Sequence, residues 1–411
     1  MPDNIKRVFS LKNEGTKKLS ASLISILIGF IFGGILLFIT ALFVDSINMS
    51  SAFDGFRVML AGIFNTGKNE AGNLTFGING KLIGDMLFRA IPLIMTGLSV
   101  SLAYKTGLFN IGTMGQYLIG TAACIVVALS IDTSVVPAWI AWLAAFLAAM
   151  CAGALWGCIP GIFKAFLNVN EVITCIMTNW IAANLVTMIF DGSSFINTVD
   201  NGKSGYTLKL STNGVSTAKM GLDTFFGNNN VNAGIFIAII AAIICWFIIS
   251  KSVFGFELRA CGSNKDAAKM AGMNEKRNIV LSMAIAGALA AAGAALYYLS
   301  GDVEFYWHTS MSLPDVAYNG IPVALLAGLN PIGCVFTGMF MSYLDISGSQ
   351  LSNLTAFNEY NANIIIAAIV YLCAFAKFFS DMLGNRKKKT KTDANKSPQA
   401  NEDIMSGEVQ G

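Results

Sequence analysis

Across residues 21–44 the chain runs for roughly 24 residues without one charged side chain, longer than the ~20 that carry a helix across a bilayer. Apolar runs at 82–104, 135–159, 171–190, 233–250 and 279–300 repeat the pattern. Hydrocarbon offers no partners to backbone N–H and C=O groups, so each run must satisfy its own as a helix. The low charged fraction, 12%, agrees, since soluble domains hold about a quarter. The expected fold class is all-α: a polytopic integral membrane protein of about ten transmembrane helices, some of them broken or re-entrant, with an internal repeat.

Two stretches depart from continuous spans. The first, Gly107-Leu-Phe109-Asn110-Ile-Gly112-Thr-Met-Gly115-Gln116-Tyr-Leu-Ile-Gly120, sets amides and glycines between apolar runs. A turn between two spans and a discontinuous helix both fit it. The second is a pair of short apolar pieces, 316–329 and 332–344, hinged at Asn330-Pro331. Each is short for an upright span. Paired interruptions in the two halves of a membrane protein point to a transport path at their interface.

Charge placement tests the layout. Of 27 Lys and Arg, 5 precede the first run, 6 fall in 251–278 and 7 in 377–396. Such clusters mark cytoplasmic segments, and all three share one side only if the crossings between them are even in number. Residues 1–20 are then a cytoplasmic N-terminal segment, 21–380 the transmembrane domain, and 381–411 a disordered basic cytoplasmic tail. Residues 45–80 form an external loop with an amphipathic helix at 52–64. The polar insert 191–232 is extracellular. It contains Gly202-Lys203-Ser204, yet Asn197 stands where a phosphate loop needs glycine, which excludes nucleotide binding there.

No chemistry-bearing cluster appears. The eight cysteines lie mostly in apolar runs and never as CxxC, so they read as small core residues. A single histidine, His308, builds no metal site. No cofactor, metal or nucleic-acid partner is expected, and no catalytic residue.

The cytoplasmic loop 251–278 is more legible. Ser263-Asn264-Lys265-Asp266 has the form of a capping box, with Ser263 as the cap. Gly272 is a natural stop for a helix of about two turns. Ala267 with Ala271, and Ala268 with Gly272, make a smooth stripe able to seat in another protein's groove.

Asp266-Ala267-Ala268-xxx-Gly272 resembles the E-A-A-xxx-G loop of ABC-importer permeases, with Asp in place of Glu. In that family the short helix docks on the ATPase subunit. Three further stretches resemble the simple-sugar and nucleoside branch: Gly107-Leu-Phe-Asn-Ile-Gly112 with Gly115-Gln116; Asn170-Glu171-Val-Ile173 with Met177-Thr-Asn179; and Asn319-Gly320-Ile-Pro-Val-Ala324 through Gly328-Leu-Asn330-Pro331. The Phe-Asn-Ile-Gly form is similar to the nucleoside subgroup.

The resemblance implies the pore subunit of a nucleoside importer in a bacterial plasma membrane. Its implied partners are an ABC ATPase subunit, a second permease that is a different chain, and a substrate-binding lipoprotein. Phe109, Asn110, Gln116, Asn179 and Asn319 are the expected pathway residues, an aromatic to stack on a base and amides to bind hydroxyls or base edges. Asp266, Ala267, Ala268 and Gly272 are the expected ATPase-coupling residues. A ribose- or galactose-like sugar is the alternative cargo. An ion-coupled secondary transporter is the alternative class, but it usually carries ionisable groups deep in its spans, and Asp85 and Arg89 read as lying at a helix start.

Overall fold

The computed structural model describes residues 14–44, 47–198, 204–228, 230–309 and 312–374, with side chains for those between 26 and 372. The tail 381–411, most of segment 1–20 and Gly202-Lys203 lie outside the described residues.

Seven helices among these are long and apolar enough to cross a membrane. They are α1 (Glu14–Phe43), α3 (Gly80–Lys105), α4 (Thr113–Ser130), α5 (Ala138–Leu167), α6 (Glu171–Phe190), α8 (Gly234–Lys251) and α11 (Glu275–Tyr298). Shorter helices are α2 (Met49–Ala61), α7 (Leu222–Phe226), α9 (Val253–Ser263), α10 (Lys265–Met270), α12 (Asp315–Tyr318) and α13 (Gly320–Leu326), and two longer ones close the chain, α14 (Pro331–Leu354) and α15 (Glu359–Ala374). Among the described residues, strand is confined to a hairpin of β1 (Asn65–Lys68) and β2 (Leu74–Phe76), with isolated bridges between Ile196 and Thr207 and between Tyr206 and Tyr306.

Two sequence boundaries are corrected. Pro160 lies inside α5 instead of ending it. It is buried beside Gly157 and Gly161, where α11 passes close enough to cover the interrupted backbone. The piece expected at 332–344 continues to Leu354. Its second half is polar, with Asp345, Ser347, Ser349, Gln350 and Ser352, which ends the apolar run but not the helix.

The described residues form two compact units, one of 53–362 and one of α1 up to Ala52 with the chain from Asn363 on. In the smaller, Gly29 and Gly33 of α1 meet Ile369 and Ile365 of α15. The larger is built around α3, whose residues from Ala90 to Ala103 are all buried, and α11, which packs on α3, α4 and α5. Gly153 and Gly157 of α5 lie so close to Gly287 and Met283 of α11 that any Cβ there would overlap backbone carbonyls. Small residues permit that approach, and dispersion across it holds the helices where lipid supplies no hydrophobic drive. The outer faces of α5, α6 and α8 expose Trp139, Leu143, Leu155, Trp180, Ile181, Ile240 and Phe247.

The polar insert packs on the bundle. Leu210 and Val215 are buried with α4 and α5, Thr217 accepts from Trp142 Nε1 at 3.0 Å, and its N–H donates to the Leu299 carbonyl at 2.7 Å. Five cysteines, Cys124, Cys175, Cys245, Cys261 and Cys334, are buried as expected, whereas Cys151 faces outward.

Candidate functional site

The stretch between α3 and α4 is a non-helical connection between two helices that are each of span length. The chain turns at Thr106 and Gly107, where Gly107 takes a left-handed φ of 73°, and re-enters the protein before α4 begins. Backbone groups freed by the break need buried partners. Asn110 Oδ1 accepts the Gly112 N–H at 3.1 Å, and Asn179 Oδ1 on α6 accepts that of Gly115 at 2.8 Å. Asn179 Nδ2 donates to the Ile111 carbonyl at 3.0 Å. Asn110 Nδ2 donates to Ser99 Oγ at 3.1 Å and to Gln116 Oε1 at 2.9 Å, while Gln116 Nε2 returns a bond to Asn110 Oδ1 at 3.2 Å. Three predicted pathway residues, Asn110, Gln116 and Asn179, are thus brought together, fully buried, with their amides engaged by the break. Phe109 and Asn319 are partly exposed.

The second interruption meets the first on α3. Gly320, at the start of α13, lies against Thr96, so closely that a Cβ would stand 2.5 Å from the threonine hydroxyl. Thr96 is three residues before Ser99, the partner of Asn110, and therefore on the same face. The Thr113 hydroxyl donates to the Ala317 carbonyl at 3.4 Å. The two breaks converge on one turn of a central helix.

The predicted coupling segment lies at the Lys105 end of α3. Asn264, not Ser263, caps α10: its backbone is extended and its Oδ1 accepts the Ala267 N–H at 3.0 Å, while Ser263 is the last residue of α9. At the other end the Met273 N–H bonds the Ala268 carbonyl and the Gly272 N–H that of Lys269, with Gly272 at φ 81°, a Schellman closure that requires a left-handed residue. Asp266, Ala267 and Gly272 are exposed. Ala268 is turned inward, 3% exposed, so the outward stripe is Ala267 with Ala271.

Just before α10, Gly262 touches the first break. A Cβ on Gly262 would overlap the Lys105 carbonyl and crowd the Gly107 nitrogen. Alongside, the Thr106 and Ser282 hydroxyls are 2.7 Å apart, and Asn278 Nδ2 donates to Glu257 Oε2 at 3.1 Å. The last turn of α9, which leads into α10, thus touches the backbone of the first break.

One charged pair escaped sequence reasoning. Arg89 Nη1 bonds Asp345 Oδ2 at 2.5 Å, with side chains 43% and 53% exposed. The partners are 256 residues apart, and no local pattern signals the pairing. Lys164, near the end of α5, pairs with Glu171, at the start of α6, at 2.9 Å.

Residues 82–374 match the family described as the branched-chain amino acid transport system permease component. The chain belongs to that family. The permease is 36% identical over 315 residues to the guanosine ABC transporter permease protein NupP of Bacillus subtilis, an alignment covering 76% of this chain and 87% of that one. It is 33% identical to the nucleoside ABC transporter permease protein NupB of Lactococcus lactis, over 93% of this chain and 98% of that one. A glucose ABC transporter permease protein of Haloferax volcanii is 29% identical over 72% of this chain and 76% of its own length. The permease is therefore a multi-pass membrane transport subunit and not an enzyme, working with the ATPase of an ATP-binding-cassette system. Both interruptions and the α9–α10 loop fall inside the matched region.

Proposed function

We propose that this permease translocates nucleosides into a bacterial cell across the plasma membrane, as the pore subunit of an ABC importer with both termini cytoplasmic. The observation that carries the reading is the similarity to NupP and NupB, two permeases named for guanosine and nucleosides, along 87% and 98% of their lengths. The ATPase docks on the outward face of α10, at Asp266, Ala267 and Ala271, with Gly272 closing the helix and Ala268 anchoring it from inside. A second, different permease completes the path, and a surface lipoprotein delivers substrate. Asn110, Gln116 and Asn179 hold the wall of the path in shape. Phe109 and Asn319, half open beside the two breaks, touch cargo.

The test is uptake. Co-expressed with the ATPase, second permease and lipoprotein, the permease should import radiolabelled guanosine and uridine in an ATP-dependent way that excess glucose or ribose does not compete. Sugar uptake without nucleoside uptake would sink the nucleoside reading and leave the family standing.

A further inference from the structure

The Arg89–Asp345 pair lies deep for exposed charges. Arg89 is nine residues into α3 and Asp345 nine residues from the end of α14, so each is ~14 Å from its helix terminus. The two termini share one end of the bundle, because the helices run antiparallel: Ser342 Oγ donates to the Met86 carbonyl at 2.8 Å, and Gly338 of α14 abuts Ile94. Those contacts join α3 to α14 without help from the ion pair.

The surroundings of the pair do not resemble a lipid-facing surface. From 81 to 103 on α3, and from 337 to 354 on α14, no large apolar residue is exposed among the described residues. Instead Lys81, Asp85 and Arg89 follow at four-residue intervals down one face of α3, and Asp345, Ser349 and Ser352 lie along α14. Asp85 accepts from Asn228 Nδ2 at 2.7 Å, which ties it to the polar insert. Deeper on the α3 face, Leu93 and Gly97 are buried, so the polar stripe stops one turn below Arg89. Charged groups inside a membrane protein face its interior or a water-filled cavity and mark substrate paths. Two polar stripes begin at the same end and stop at an exposed ion pair.

We propose that these stripes wall an aqueous vestibule and that Arg89 and Asp345 form a substrate-contacting station at its floor, selective for neutral nucleosides. A carboxylate accepts from vicinal ribose hydroxyls, and a guanidinium donates in a fork to the O6 and N7 edge of a purine base. Tyr297, stacked on Phe88 at 5.0 Å, lies within electrostatic reach of both charges and supplies an aromatic wall. Asp85 and Asp345 balance Lys81 and Arg89, so the stripes carry no surplus cation to hold a nucleotide's phosphate. The proposal rests on the nucleoside reading above.

The experiment uses the assembled importer, with Cys151 changed to Ser, and first establishes guanosine uptake by the otherwise unaltered complex; without it the nucleoside reading itself has failed. In a transporting background, Asp345→Cys and Arg89→Cys should react with a charged, membrane-impermeant thiosulfonate, and guanosine should slow that reaction while guanosine monophosphate does not. Reactivity with no guanosine protection overturns the station. So does failure of the aqueous reagent where membrane-soluble N-ethylmaleimide still labels, because the pair then faces lipid or the second permease. Arg89→Lys and Asp345→Glu keep the charges should the cysteine variants fail to assemble. A recognition role raises KM for guanosine about tenfold in either, the usual worth of a charged hydrogen bond. Unaltered KM in both makes the pair structural and ends the proposal.

Discussion

Asn110 spends its side-chain hydrogen bonds inside the protein, on Ser99, Gly112, Gln116 and Cys175, and nothing remains for a ligand. Asn110→Leu should therefore act on the fold before it acts on transport. A buried donor or acceptor left unmet costs about 1–3 kcal/mol, and this change strands the Gly112 N–H and both ends of the Gln116 amide. The solubilised permease should melt at a clearly lower temperature than wild type, and Asn179→Ala, which frees the Gly115 N–H and the Ile111 carbonyl, should do the same. An unchanged melting temperature with lost uptake would return Asn110 to the substrate path. That an amide belongs at the break was readable from its neighbours in sequence. Which partners it finds was not, because Ser99 and Asn179 arrive from other helices.

At the scale of elements, α10 shows how far local rules reach. Its length, its acidic first turn and its glycine stop follow from residues 263–272 alone. The cap moved by one residue because Asn264 is extended while Ser263 still belongs to α9. The face that points outward depends on what α10 leans against. Ala267→Arg, on the exposed side, should abolish ATPase docking or stimulation and leave the melting temperature alone. Ala268→Arg, on the buried side, should lower the melting temperature as well; equal behaviour of the two by differential scanning fluorimetry would contradict the burial. The Gly262 contact carries a further expectation. Gly262→Ala pushes a methyl into the Lys105 carbonyl, so uptake per ATP hydrolysed should fall about tenfold, equivalent to ~1.4 kcal/mol of coupling, with the ATPase still bound in pull-down. Spatial adjacency is not itself coupling, and a normal transport-to-hydrolysis ratio would show this contact to be passive.

For the whole molecule, the close seam of α5 on α11 sets the frame on which both breaks are held. Gly287→Leu would drive its side chain into the Gly153 backbone, and the two helices would have to separate. Loss of a monodisperse peak in size-exclusion chromatography is expected, and a normal elution profile would mean that the seam tolerates a wider gap. The sequence by itself determined the class of the molecule: helical runs of membrane length, two interruptions in corresponding places, a short capped helix in a basic loop. Those features are local, written in hydropathy and in backbone conformations that a few neighbouring residues impose. Only the tertiary structure decided that the two interruptions meet on one turn of α3, that the end of α9, just before α10, abuts the first of them through Gly262, and that Arg89 finds Asp345. Such pairings join residues hundreds apart, and their energies come from close approach and shared burial, which periodicity does not encode.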